Sequence, residues 1–136
     1  MANFVWTDQQ ITFGVHAFDE EHKELVRLLN ELCEAIDGED NEKTHKIYEA
    51  FREAMAGHFV HEEQVMQDIG YPDLDAHCEE HANLMREMDE TARHLDRVRD
   101  KALDLFLVNH LSYVLLGHIL TADAKYAPFM REHGVA

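Results

Sequence analysis

Interruptions to helical patterning are few. Two prolines, Pro72 and Pro128, and six glycines punctuate 136 residues. Between them run long segments whose apolar residues recur every three to four positions, and no convincing stretch alternates with the period of two that a half-buried strand shows. The chain is therefore expected to be all-α. Asp19 with Glu20 and Glu21 reads as a helix start, Gly38 and Gly70 as stops, and Pro72 as the opening of a third helix. Pro128 reads as the limit of a fourth. Helices are predicted over about 19–37, 41–69, 72–97 and 100–125. Short connections make successive helices antiparallel neighbours, so the expected architecture is an antiparallel up-down-up-down four-helix bundle. Residues 1–18, with Phe4, Val5, Trp6, Ile11 and Phe13, are expected to form an extended N-terminal arm across it. The length suits a single domain, 1–136, with one core.

A straight helix turns about 100° per residue, so spacing decides which polar side chains share the apolar face. The stretch HFVHEE, residues 58–63, poses the problem sharply. With His58 as the origin, Ile47, Phe51, Ala54, Met55, Val65, Met66 and Ile69 centre at about 20–30°. Glu62 falls at about 40°, inside that stripe. His61 falls at its margin, about −60°, and Glu63 at about 140°, toward water. Both are assigned to the surface. A carboxylate within a buried stripe is costly unless it is paired or bound to a metal. On the third helix His77 and His81 lie with Leu74, Leu84, Met85, Met88, Ala92 and Leu95. On the first, His22 lies with Leu25, Val26, Leu29, Leu32, Cys33 and Ile36. On the fourth, His118 lies with Leu103, Leu107, Leu111, Val114 and Leu115, while His110 points away. His94 also points away, and His16, His45 and His133 are expected at the surface. Start of one, end of two, start of three and end of four meet at one end of an antiparallel bundle. Five histidines and a glutamate therefore converge on one level of the core.

Eleven histidines in one chain are many, and histidine is the commonest metal ligand. Neutral imidazoles with carboxylates suit iron, zinc, copper or manganese. Five are too many for one ion with an open position, so two ions are expected. A second inward acid is then wanted near His118. Asp123 is the available one, but five residues is about 140° on an ideal helix, so it serves only if the helix is locally widened or bent. The net charge of −16 argues against nucleic acid or an anionic membrane as partner. Two cysteines, Cys33 and Cys78, are read as packing residues in a reducing compartment. No apolar run is long enough to span a membrane and no secretory signal opens the chain, so a cytoplasmic protein is expected.

Taken together, His22, His58 with Glu62, His77 with His81, and His118 with Asp123 resemble the hemerythrin motif. FDEEHKEL, HFVHEEQVM, GYPDLDAHCEEH and HILTADAKYAPF are similar to stretches of the bacterial members, and the likeness covers about residues 4–130. The resemblance implies a non-haem di-iron centre that binds O2 reversibly, with no organic substrate and no catalytic residue. It implies His77, His81 and His118 on one iron, His22 and His58 on the other, and Glu62 and Asp123 bridging them beside an oxo or hydroxo bridge. On two six-coordinate ions that donor set leaves one position, on the iron with two histidines. Leu25, Phe59, Leu115 and Ile119 adjoin ligands and are expected to line the O2 pocket. Many relatives carry tryptophan four residues before the last histidine, where this chain has Val114.

Rival readings are an O2 sensor acting through a partner, a di-iron oxidase, a peroxide or NO scavenger, and an iron store. A ferritin-like site would use paired Glu-x-x-His, which Glu42 and His45 offer without inward company. HCEEH also matches the H-x-x-E-H of an inverted zinc protease, but Glu80 points off the His77–His81 face.

Overall fold

The computed structural model describes residues 15–97 and 100–135. Among them are five α-helices, one π-helical turn and no strand. The helices are α1 (His16–Asp37), α2 (Asn41–Ile69), α3 (Leu74–Arg97), α4 (Lys101–His118) and α5 (Ala124–Glu132), with the π turn Ile119–Asp123 joining the last two. α1 packs against α2 and α4, and α3 packs against α2 and α4.

Local chemistry sets most of the ends. The Asp40 side chain accepts from the Lys43 amide and caps α2, and Asp100 does the same for the Leu103 amide at the start of α4. α2 stops at Gly70, whose φ of 70° is left-handed. The Tyr71 amide then returns to the Met66 carbonyl, closing the C-terminal turn that glycine allows. Pro72 and Asp73 form a turn, and α3 begins two residues later than the proline suggests.

Three expectations need correction. α1 begins at His16, not Asp19, and Val15 at its N-cap makes no side-chain cap. The reason is tertiary. Val15 and Phe18 are buried in a cluster with Met66, Tyr71, Tyr126, Ala127 and Met130, and Asp19 is itself buried in the first turn. The proposed arm thus ends before residue 16, and its remainder, 1–14, lies outside the described residues. The fourth helix does not end before Pro128: α5 runs through it to Glu132. A proline inside a helix costs about 3 kcal/mol, and burial of Tyr126, Ala127 and Met130 on both sides of it offsets a loss of that size. On α4 the inward stripe is Asp104, Val108, Leu111, Ser112 and Leu115, whereas Leu103 is 46% exposed. Residues 102–108 are apolar nearly all round, so periodicity alone does not define a face there.

A larger apolar cluster fills the rest of the interior, with Leu25, Leu29, Leu32, Phe51, Met55, Phe59, Leu84, Met88, Leu111 and Leu115 among its members. The two clusters leave a polar belt between them. Each long helix crosses it: α1 at His22, α2 at His58 and Glu62, α3 at His77 and His81, and the α4–π segment at His118 and Asp123.

Candidate metal centre

All seven of these side chains are buried, with Glu62, His22 and Asp123 wholly inaccessible. They form two donor groups that share both carboxylates: Glu62, His77, His81, His118 and Asp123, and His22, His58, Glu62 and Asp123. Each carboxylate offers one oxygen to each group. Glu62 Oε2 lies 3.1 Å from His58 Nε2, while Oε1 lies 3.1 Å from His81 Nε2 and 3.5 Å from His77 Nε2. Asp123 Oδ2 lies 3.2 Å from His22 Nε2, while Oδ1 lies 3.0 Å from His118 Nε2 and 3.5 Å from His77 Nε2. Asp123 reaches inward because Ile119–Asp123 is a π turn, which adds a residue to the turn and carries position 123 back to the face of His118. Spacing on an ideal helix left that orientation open.

The donor chemistry fits a cation. His58 Nδ1 lies 2.6 Å from Glu21, His81 Nδ1 3.1 Å from Glu63 and His118 Nδ1 2.8 Å from Glu80. A carboxylate at Nδ1 holds the proton there and turns the Nε2 lone pair to the opposite side, the arrangement found around ligating histidines. Those lone pairs face one another: His81 Nε2 and His118 Nε2 are 3.2 Å apart, a contact favourable only with a proton or cation between them. His58 Nε2, His77 Nε2, Glu62 Oε1 and both Asp123 oxygens make no directed hydrogen bond despite being fully buried. A buried polar atom left so costs about 1–3 kcal/mol, and here five converge on one place.

The three outer carboxylates escaped the sequence reading, which assigned Glu63 to water and Glu80 off the ligand face. They follow one rule. Each adjoins a ligand in sequence, lies at the seam with the next helix, and reaches across it: Glu21 of α1 to α2, Glu63 of α2 to α3, Glu80 of α3 to α4. The signal was the repeated acid–histidine adjacency, EEH at 20–22 and 79–81 and HEE at 61–63. Glu21 also bonds Nδ1 of His61 at 2.9 Å, so His61, 40% exposed, belongs to the outer network and not to the donor groups. Tyr126 was missed as well; its hydroxyl donates to Glu62 Oε2. Aromatic packing holds the rings, with Phe59 stacked on His81 at 3.8 Å and Tyr126 on His77 at 5.5 Å.

Leu25, Phe59, Leu115 and Ile119 line a cavity of about 10 Å³ with Met55, His58 and His118. Val114 does not reach it. It faces a surface groove beside Glu80, Asn83 and Leu84. His16, His45, His94, His110 and His133 are exposed, as is Glu42. Cys33 is buried in the larger apolar cluster and Cys78 is half-buried, neither in a donor group.

Without metal, protons take the cation's place. Burial opposes charge on His58, but Glu62, Glu21 and Asp123 outweigh it and push the imidazole up to about 10. His77 rises likewise to about 9, against burial, beside the Asp123 and Glu62 carboxylates. Glu62 is held well below its ordinary value, since His58, His77 and His81 overcome burial. Asp123 is lowered too, where His118, His22 and His77 overcome burial and the neighbouring Glu62. A raised histidine stabilises the fold fully below its unfolded value, 6.5, and that contribution drains as pH rises through about 9 to 10. A lowered carboxylate contributes above its ordinary 4.5 or 3.8 and loses it as pH falls. The metal-free protein is therefore expected to be most stable between about pH 4.5 and 6.5. Urea denaturation of chelator-treated protein from pH 4 to 10 checks this; stability climbing from pH 7 to 10 would contradict it.

Comparison with known proteins agrees with this geometry. The Hemerythrin HHE cation binding domain matches residues 14–130. A bacteriohemerythrin of Pseudomonas aeruginosa is 30% identical over 131 residues, covering 96% of this chain and 84% of its own. One from Methylococcus capsulatus is 28% identical, covering 90% of this chain and 100% of its own. A crystal structure of a hemerythrin with a leucine-to-tyrosine substitution superposes with a TM-score of 0.83 at 25% identity, over 94% of this chain and 97% of that one. No helix among the described residues is long and apolar enough to cross a membrane. A matching domain over most of the length, and two donor groups sharing a glutamate and an aspartate, place the chain in the hemerythrin family.

Proposed function

We infer that the protein binds O2 reversibly, for carriage or storage, at a non-haem di-iron centre inside a single domain spanning 1–136. Its four long helices would run up-down-up-down, which is the arrangement that brings start-one, end-two, start-three and end-four to one level. The observation that carries the reading is the shared pair of carboxylates, each presenting one oxygen to each donor group. His77, His81 and His118 would hold one iron, His22 and His58 the other, with Glu62 and Asp123 spanning both. Two ferrous ions there would supply two electrons to a bound O2 and recover them on release.

The chain's own residues supply the rest. The donor group with fewer ligands is the one with His58, and His58 borders the small apolar cavity together with His118 of the other group. Its volume, about 10 Å³, is near the minimum for one water-sized molecule and excludes an organic substrate. Leu25, Phe59, Leu115 and Ile119 keep bulk water from that position, and so from the oxidation and proton leakage water promotes. Glu21, Glu63 and Glu80 hold the ligand rings in one tautomer. Tyr126 holds Glu62 by its second oxygen.

The test is an anaerobic, reduced, iron-loaded sample, its metal counted and its visible spectrum followed as air is admitted and withdrawn. Two irons per chain and a colour that comes and goes are expected. Two irons that oxidise once and do not return would move the assignment to an oxidase, a scavenger or an iron store. Failure to bind iron would refute the di-iron reading.

A further inference from the structure

The polar belt opens to the surface on one side. A cleft of about 310 Å³ lies there, and Asp73, Ala76, His77, Glu80, Ala122 and Lys125 are among its walls. Among the described residues His77 is the donor-group member in its walls. Its Nε2 lies 3.5 Å from both Glu62 and Asp123, while the residue, only 4% exposed, also lines the cleft. His77 also differs in how it is held. His58, His81 and His118 each have Nδ1 on a carboxylate. Among the described residues His77 has no such partner, and its ring rests against Tyr126 by stacking. The His81 and His118 rings also pack against it, so packing holds the His77 ring where a carboxylate clamps the others at Nδ1.

Among the described residues, the small cavity beside His58 and His118 offers no polar path. The cavity there is about 10 Å³ and its walls are largely Leu25, Met55, Phe59, Leu115 and Ile119. A hydrated dication does not cross such a wall, because shedding its water among apolar groups is prohibitive.

We propose that the cleft captures hydrated divalent metal ions and loads them into the buried centre through His77. Asp73 and Glu80 make the first hold. Glu80 is half-exposed, and one of its oxygens already accepts from His118 Nδ1, so it touches both the arriving ion and a resident ligand's back. Lys125 opposes the approach of a cation and sets its rate. The two sides of the belt are thus divided by chemistry: ions pass the polar cleft, and a small neutral gas occupies the apolar cavity. This rests on the buried cluster being a metal centre.

The experiment is uptake of Co²⁺ by the metal-free protein, followed by the visible absorption of the bound ion, with final metal content measured separately. Asp73→Lys is expected to slow uptake about tenfold at low ionic strength, an electrostatic effect that salt reduces. Ala76→Trp, which fills the cleft, should also slow it. Lys125→Glu should speed it, a gain that misfolding cannot produce. All three should reach the wild-type metal content, with helicity unchanged by circular dichroism. Wild-type rates in all three variants would overturn the loading route and leave the metal centre intact. A wild type that takes up neither Co²⁺ nor Fe²⁺ would overturn the metal centre, and the route with it.

Discussion

His58→Ala is expected to keep about one iron per chain and to lose all O2 binding. His58 supplies one of only two imidazoles in the four-donor group, so its removal leaves His22 with the two carboxylates. The five-donor group, Glu62, His77, His81, His118 and Asp123, is untouched in composition. O2 binding would be lost because it needs both ions, and the four-donor group would no longer hold its own. Stability should fall as well, because an ion present at a thousandfold its dissociation constant adds about 4 kcal/mol to the fold that binds it. Metal analysis with a melting curve and an oxygenation spectrum covers all three effects. Full iron with intact oxygenation would remove His58 from the centre.

Leu115→Ser is expected to shorten the life of the oxygenated form about tenfold, by admitting water to a site that must stay dry. Leu115 is 2% exposed and lines the cavity beside His58 and His118. The present space, about 10 Å³, is at the lower limit for a single water, which needs about 10–15 Å³ and polar partners. Serine enlarges the space and supplies a hydroxyl to hold the water. The loss of packing is expected to cost about 2–5 kcal/mol, by analogy with other leucine truncations. Leu115→Ile keeps the volume and should cost less than about 1.5 kcal/mol, which separates a leaking pocket from a weakened fold. Decay of the oxygenated absorbance in air gives the rate. If serine leaves it unchanged, Leu115 does not guard the pocket.

The fold and the donor set were legible to different depths. That His58 and Glu62 lie inside while His61 lies at the margin follows from 100° per residue on a helix whose stripe is well defined. On α4 apolar residues surround the helix axis, so the same angle picks no face, and the true stripe runs through Asp104 and Val108. Glu63 and Glu80 depart from the expectation for another reason. Their angles were right, but a side chain that leaves its own inward face at a helix seam reaches the neighbouring helix before it reaches water. The start of α1 and the passage of α5 through Pro128 were set by burial of Val15, Phe18, Tyr126 and Met130 in one cluster, a contact between distant parts of the chain.

Sequence by itself determined the helical class, the five inward histidines with Glu62, and their common level, because helical periodicity is local and connection length fixes which ends meet. The tertiary structure decided Asp123, the three outer carboxylates, Tyr126 and the division between an apolar cavity and a polar cleft. Each of these depends on a departure from ideal helical phase or on an atom reaching between helices, and neither is written in the spacing of one segment.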